Sequence, residues 1–201
     1  VTQVGVSVHG HDGRGGAAYS RITRSDLGTH ALMLDAIDNL VAAPVDLTVD
    51  LILMTDTIDG VLEGMTDLHR RGVTAFNLWL VSLTDNNRNN LDSLPRITDI
   101  LSTVVACLEY GRERGIDVRS LHIPRCLLAG YEDHVDHPGA GLDVQVVTPD
   151  AVFQLSKSRL SGGVKPDRCS RCVYNDECPG LRADYVDRFG DDEVLPVSDL
   201  T

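Results

Sequence analysis

No apolar run in the 201 residues approaches the length of a membrane span, and no secretory signal opens the chain, so no membrane partner is expected and a cytoplasmic setting follows. Basic residues are in short supply. Eighteen Lys and Arg against 30 Asp and Glu leave a formal net charge of −12, which argues against nucleic acid as a partner. Any anionic substrate then needs a local basic pocket. There is no nucleophile elbow, which removes an α/β hydrolase. Gly13, Gly15 and Gly16 precede no immediately capped helix, so they are not a dinucleotide fingerprint. An initiating Met is also missing. The chain opens on Val1 and runs straight into a strand, and the expectation drawn is that residues upstream have been removed or omitted.

What is present is an ordinary globular composition, 42% apolar and 24% charged, in a chain long enough for one domain or a domain with a small appendage. Five cysteines are an odd count, and in a reducing compartment clustered thiols are better read as ligands than as disulfides. Cys169, Cys172 and Cys178 fall within one short stretch ending Cys-Pro-Gly180. A two-residue gap lets Cys169 and Cys172 reach one thiophilic metal from a single tight turn, and Cys178 adds a third thiolate. The fourth position goes to Cys126, after Pro124 at a strand end, or to His122, His134 or a small molecule. The 43-residue separation of Cys126 from Cys169 is no objection, because loop closure costs rise only logarithmically. One Cys pair and a single Cys, rather than the two pairs of a zinc ribbon, tilt the metal towards iron–sulfur and leave zinc open. Cys107 stands apart in an apolar helix and reads as a buried thiol.

Along the chain, residues 3–9 alternate as a strand, 10–24 form a long Gly-rich loop, and residues 26–43 repeat at helical spacing. Residues 45–55 make a nearly continuous apolar strand, expected to be covered on both sides. Asp59 is placed to cap the following helix and Gly72 to end it. A third strand at 74–83, a helix from Pro95 to Arg114 closed by Gly115, and a fourth strand at 117–123 complete the repeating unit. Such alternation predicts a parallel sheet with crossover helices, either part of a closed barrel or a complete open sheet, with ligands at the carboxyl ends of the strands. The polar run 130–141 marks a boundary, with a short strand at 143–148 and a helix at 184–190 beyond it. Ser7 and Asp50 are expected on the inner sheet face, where polar groups need partners. His9 and His11 with Asp12 read as a solvated loop, and His134 and His137 as surface residues.

The strand Val-Gly-Val-Ser-Val-His-Gly at 4–10, the phrase Tyr19-Ser-Arg-Ile-Thr23 and the later βα units precede a CX2CX5C cluster and a Tyr-x3-Phe-Gly-x2-Glu tail. Together they resemble the C-terminal part of a radical S-adenosylmethionine (radical SAM) enzyme with a SPASM- or twitch-like extension. The resemblance implies an α/β fold: a partial (β/α) barrel of parallel strands, incomplete at its N-terminus, over residues 1–129, and a small cysteine-rich C-terminal extension over 130–201. It implies S-adenosylmethionine as cofactor, cleaved reductively to a 5′-deoxyadenosyl radical, and an auxiliary [4Fe-4S] cluster in the extension. The partners implied are a peptide or small-molecule substrate and an electron donor such as flavodoxin or ferredoxin. Ser7 matches the position that contacts the methionine moiety, Asp50 falls where the family often has Asn for the same purpose, and Val81 and Ser82 lie by the adenine. Cys169, Cys172 and Cys178 match the family's CX2CX5C cluster ligands, and Cys126 is the candidate fourth ligand from the residues themselves. The family's further Cys is replaced by Arg182, which implies a single auxiliary cluster, and the CxxxCxxC of the radical-generating cluster does not occur in these residues. The segment alone is therefore expected to be inactive. The rival expectation is a non-catalytic zinc- or iron–sulfur-binding interaction module.

Overall fold

Seven residues of strict alternation at the start of the chain put Val4, Val6 and Val8 on one side and Gly5, Ser7 and His9 on the other, and the computed structural model has a strand there, β1 (Gln3–His9). The structure describes residues 2–83, 87–136, 145–147, 152–154 and 163–198. After β1 come α1 (Ala17–Thr23), α2 (Leu27–Ala42), β2 (Asp46–Leu53), α3 (Val61–Arg70), β3 (Ala75–Leu80), α4 (Ile97–Arg114), β4 (Asp117–Leu121) and β5 (Val135–Asp136). These five strands form one parallel sheet in the order β1-β2-β3-β4-β5. Two small antiparallel pairs follow, β6 (Gln145–Val147) with β7 (Val152–Gln154), and β8 (Gly163–Val164) with β9 (Leu181–Arg182). The chain closes with α5 (Ala183–Phe189), ended by Gly190 at φ 75°.

Chain order and sheet order coincide, so the sheet contains no reversal of the kind that sends helices to both faces of a doubly wound fold. The core lies on one side. Val49, Leu51 and Leu53 of β2 and Phe76, Leu78 and Leu80 of β3 are buried there with Ile37 of α2, Met65 and Leu68 of α3, and Ile100, Val104 and Leu108 of α4. On the other face Thr48, Asp50 and Ile52 remain half-exposed. The expectation that β2 is covered on both sides is thus corrected: its near-continuous apolar run reflects strong burial on the helix side only.

Three other local expectations change. The long loop 10–24 contains α1, whose N-cap is Gly16 in the left-handed region, a start with no polar capping side chain to betray it. Asp59 does not cap α3; Gly60 holds that position after a single 3-10 turn, and a Cβ on Gly60 would meet the Cβ of Asp12 at 2.7 Å. The polar run at 130–141 contributes β5, which joins the main sheet beside β4. By contrast, α2 is capped by Asp26, whose carboxylate accepts from the Thr29 amide at 2.8 Å, and α4 ends at Gly115 at φ 67°. No described helix is long and apolar enough to cross a membrane.

Candidate functional site at the strand ends and the cysteine tail

The parallel register aligns residues of the open face into rows. One row is Ser7, Asp50, Asn77 and Arg119 across β1 to β4. Its members are polar because the helices leave this face uncovered, and they bond to one another or to neighbouring loops: Asn77 donates to Asp50 at 2.7 Å, and Arg119 donates to Asp117 at 2.8 Å and to the Asp133 carbonyl at 3.2 Å. Asp50 therefore has the satisfied hydrogen bond that a polar residue on the sheet requires, while Ser7 is exposed on β1. Two residues further along, the next row is His9, Ile52, Trp79 and Leu121. It lies about 7 Å nearer the carboxyl ends, two strand rises.

The first three members of that row form the floor of a cavity of about 340 Å³, lined by His9, Ile52 and Trp79 from the sheet, Met54, Val81 and Ser82 from the strand ends, and Ile22 and Thr23 from α1. Partial burial lowers the pKa of His9 and favours its neutral ring. A wider, more polar cavity of about 940 Å³ adjoins it, sharing Ile22, Thr23, Met54 and Asn87 and adding Arg21, Arg24, Asp56 and Asp92. Val81 and Ser82 thus line a cavity, whereas Ser7 and Asp50 sit one row below its floor.

The cysteine tail makes a second constellation. Cys126, Cys169, Cys172 and Cys178 line one small cavity of about 20 Å³ together with Pro124, Tyr174, Gly180 and Val194. Neither His122 nor His134 is among its lining residues; His122 packs edge-on against Trp79 and His134 bonds to the Val118 carbonyl at 3.1 Å. His137 lies outside the described residues. The thiols do not converge on a point: among the described residues no three His, Cys, Asp or Glu side chains stand in ion-holding geometry. Burial raises the pKa of Cys126, against a lowering by the Leu195 amide, and neighbouring sulfurs raise it further; burial also raises that of Cys169. A cation placed among them would reverse that order and deprotonate the coordinating thiols. The donor set, all thiol and gathered in one cavity, is chemically suited to a thiophilic metal.

No family model, curated protein or solved structure matches this chain.

Two features escaped the reading of the sequence. His11 is buried, not solvated: its ring bonds to His30 at 3.0 Å and to Asp67 at 3.1 Å, and Asp67 in turn accepts from Arg71 at 3.2 Å. The reason is steric. Gly64 of α3 lets the His11 backbone approach so closely that a Cβ there would stand 2.0 Å from the His11 carbonyl oxygen. The second is Arg182, only 7% exposed, whose guanidinium donates to the Leu80 carbonyl at 2.8 Å and the Val81 carbonyl at 2.6 Å. The only signal available in the sequence was its place where a Cys ligand was expected.

Proposed function

We propose that this chain is the C-terminal part of a radical SAM enzyme that modifies a peptide or small molecule, with a thiolate-bound auxiliary iron–sulfur site in its tail. The observation that carries the reading is the stacking, on one open face of a sequentially ordered parallel sheet, of the polar row Ser7-Asp50-Asn77 beneath an apolar strand-end cavity lined by Val81 and Ser82. When bound beside the radical-generating cluster, S-adenosylmethionine supplies a 5′-deoxyadenosyl radical. The residues of this chain bind and orient. Trp79 and Ile52 offer an apolar floor, and the Val81–Ser82 edge suits a planar base. Ser7 supplies an exposed hydroxyl at the same face. Because the CxxxCxxC motif does not occur in these residues, the strand-end contacts act without the chelation that holds the cofactor's amino and carboxylate groups, and binding by this segment alone is weak.

A specific observation favours a second reading for the tail. The cysteine cavity is small, at about 20 Å³, which suits a zinc ion joining the tail to the sheet domain in a non-catalytic interaction module. Anaerobic reconstitution with iron and sulfide decides between them. The first reading expects a brown protein whose iron content falls when Cys169, Cys172, Cys178 or Cys126 is replaced by Ala. A colourless protein that retains one zinc through those same cysteines would overturn it. A longer reading frame carrying CxxxCxxC should restore cleavage of S-adenosylmethionine to 5′-deoxyadenosine.

A further inference from the structure

The backbone that carries Val81 and Ser82 leaves the sheet at the end of β3, where ladder bonds run out. The Val81 amide still reaches the Leu53 carbonyl at 3.1 Å, but the carbonyls of Leu80 and Val81 and the amide of Leu83 need other partners. The tail supplies all three. Arg182 donates to both carbonyls, and Asp184 accepts from the Leu83 amide at 2.8 Å. The two side chains lock each other in a bidentate pair, with Arg182 Nε to one carboxylate oxygen of Asp184 at 2.8 Å and an Arg182 terminal nitrogen to the other at 2.7 Å. Burial opposes ionisation of Asp184, but its bonds to Arg182, Leu83 and Tyr185 prevail and hold its pKa below the usual carboxylate value. Asn87 completes the cage by donating to the Ser82 carbonyl at 2.9 Å. The cavity wall at 81–83 is therefore held from behind by residues about a hundred positions away.

The same tail residues are a few steps from the cysteine cavity. The Gly180 amide donates to the Cys178 sulfur at 3.4 Å, and Gly180 stands at φ 85°, so close to its neighbour strand that a Cβ would lie 2.3 Å from the Val164 carbonyl oxygen. Leu181, 1% exposed, is embedded in the core, and β9 pairs with β8. From Cys178 to Arg182 there is no slack segment.

We propose that Arg182, with Asp184, is a positioning residue that couples the cysteine cavity to the strand-end cavity: a metal held by the thiols fixes Gly180 to Arg182 and so tightens the Leu80–Leu83 wall. The inference rests on the reading of the four cysteines as a metal site and adds to it the route by which that site reaches the cavity lined by Val81 and Ser82. Arg182 stands where a further cysteine ligand was expected, and it uses that place to grip the sheet.

The test is amide hydrogen exchange of Leu83 in the full 201-residue chain, with and without zinc, beside a zinc titration by chelator competition. Zinc should slow exchange at Leu83 about tenfold in the unaltered protein, within the usual span of coupling between sites. The paired change Arg182→Met with Asp184→Leu removes both charges together and so avoids leaving either buried alone. It should keep zinc bound, keep the core amide of Val49 protected, and abolish the effect of zinc on Leu83, whereas Arg182→Lys should restore it in part. Bound zinc with unchanged Leu83 exchange in the unaltered protein overturns the coupling alone. Failure to bind zinc or iron overturns the metal reading and the coupling with it. The measurement on the unaltered protein decides even if the paired variant does not fold.

Discussion

Replacing Glu193 by Ala should weaken the fold by about 2 kcal/mol, through the bonds it makes to the start of α4. The first turn of α4 has unpaired amides, and no side chain of its own N-cap, Arg96, covers them. The tail does so instead: Ile97 donates its amide to the Tyr185 hydroxyl at 2.8 Å, and Thr98 donates its amide to the Glu193 carboxylate at 3.0 Å. Glu193 also accepts from the hydroxyls of Thr98 and Tyr185 and lies 3.8 Å from Arg96. Loss of a cap is worth about 1 kcal/mol, and loss of a charge-assisted bond to a buried hydroxyl about as much again. Burial would raise the pKa of Glu193, but the bonds from Thr98 and Tyr185 outweigh it and bring it below its ordinary value. The folded pKa being the lower one, this stabilisation is present above the unfolded value of about 4.3 and fades as pH falls through the folded value. Urea unfolding of the wild type and Glu193→Ala should therefore differ by a midpoint shift at constant slope near neutrality, and the gap should narrow below about pH 4. A difference under about 0.5 kcal/mol at neutral pH would refute the argument, since that is within the range of an ordinary surface substitution.

The buried His11–His30 pair gives a second pH dependence of its own. Burial is the main cause lowering both pKa values, so the unfolded chain binds protons that the folded one refuses, and stability is full above about pH 6.5 and declines as pH falls below it. Facing the pair are Asp67 and Arg71 of the α3 region, Asp12 of the preceding loop and the Tyr19 ring of α1. Thermal unfolding followed from pH 8 to pH 5 should show that decline, and His11→Asn with His30→Gln should flatten it while lowering stability throughout. Cys107 makes a third case: burial pushes its pKa up to about 12, so thiol labelling of the metal-free native protein at pH 8 should spare Cys107, whereas the denatured chain should label there as well.

The sheet was legible because its strands obey a period of two and its helices a period near 3.6, and both periods survive in single sequences. β1 and the span of α4 follow from them almost residue for residue. What the sequence hid was set by contacts rather than by periods. α1 begins on a left-handed glycine, β5 is two residues of an otherwise polar run, and His11 is buried only because Gly64 and Gly16 leave room for it and its partner His30. Among the candidate residues, the cysteines were recognisable by type and spacing, and they do share a cavity. Asp50 was recognisable as a polar residue on a sheet, but its partner Asn77 depended on the register of β2 with β3.

The tail shows why the two cavities should be considered together. Its fastenings to the sheet domain are made by side chains that a pattern search passes over: Arg182 and Asp184 at the end of β3, Tyr185 and Glu193 at the start of α4, and Arg125 with Glu177 at 2.8 Å beside Cys126. Each spans more than fifty residues of sequence, and of their tail members only Glu177 lies between the cysteines. A tail needed only to hold a metal could be tied down by its ligands alone, since metal binding can itself supply the ordering energy. This one carries a largely buried ion pair as well, an arrangement that has to satisfy the polar groups around it. Here those groups are the backbone atoms that shape the wall at Val81 and Ser82, so the tail's ion pair is also the contact that reaches the strand-end cavity.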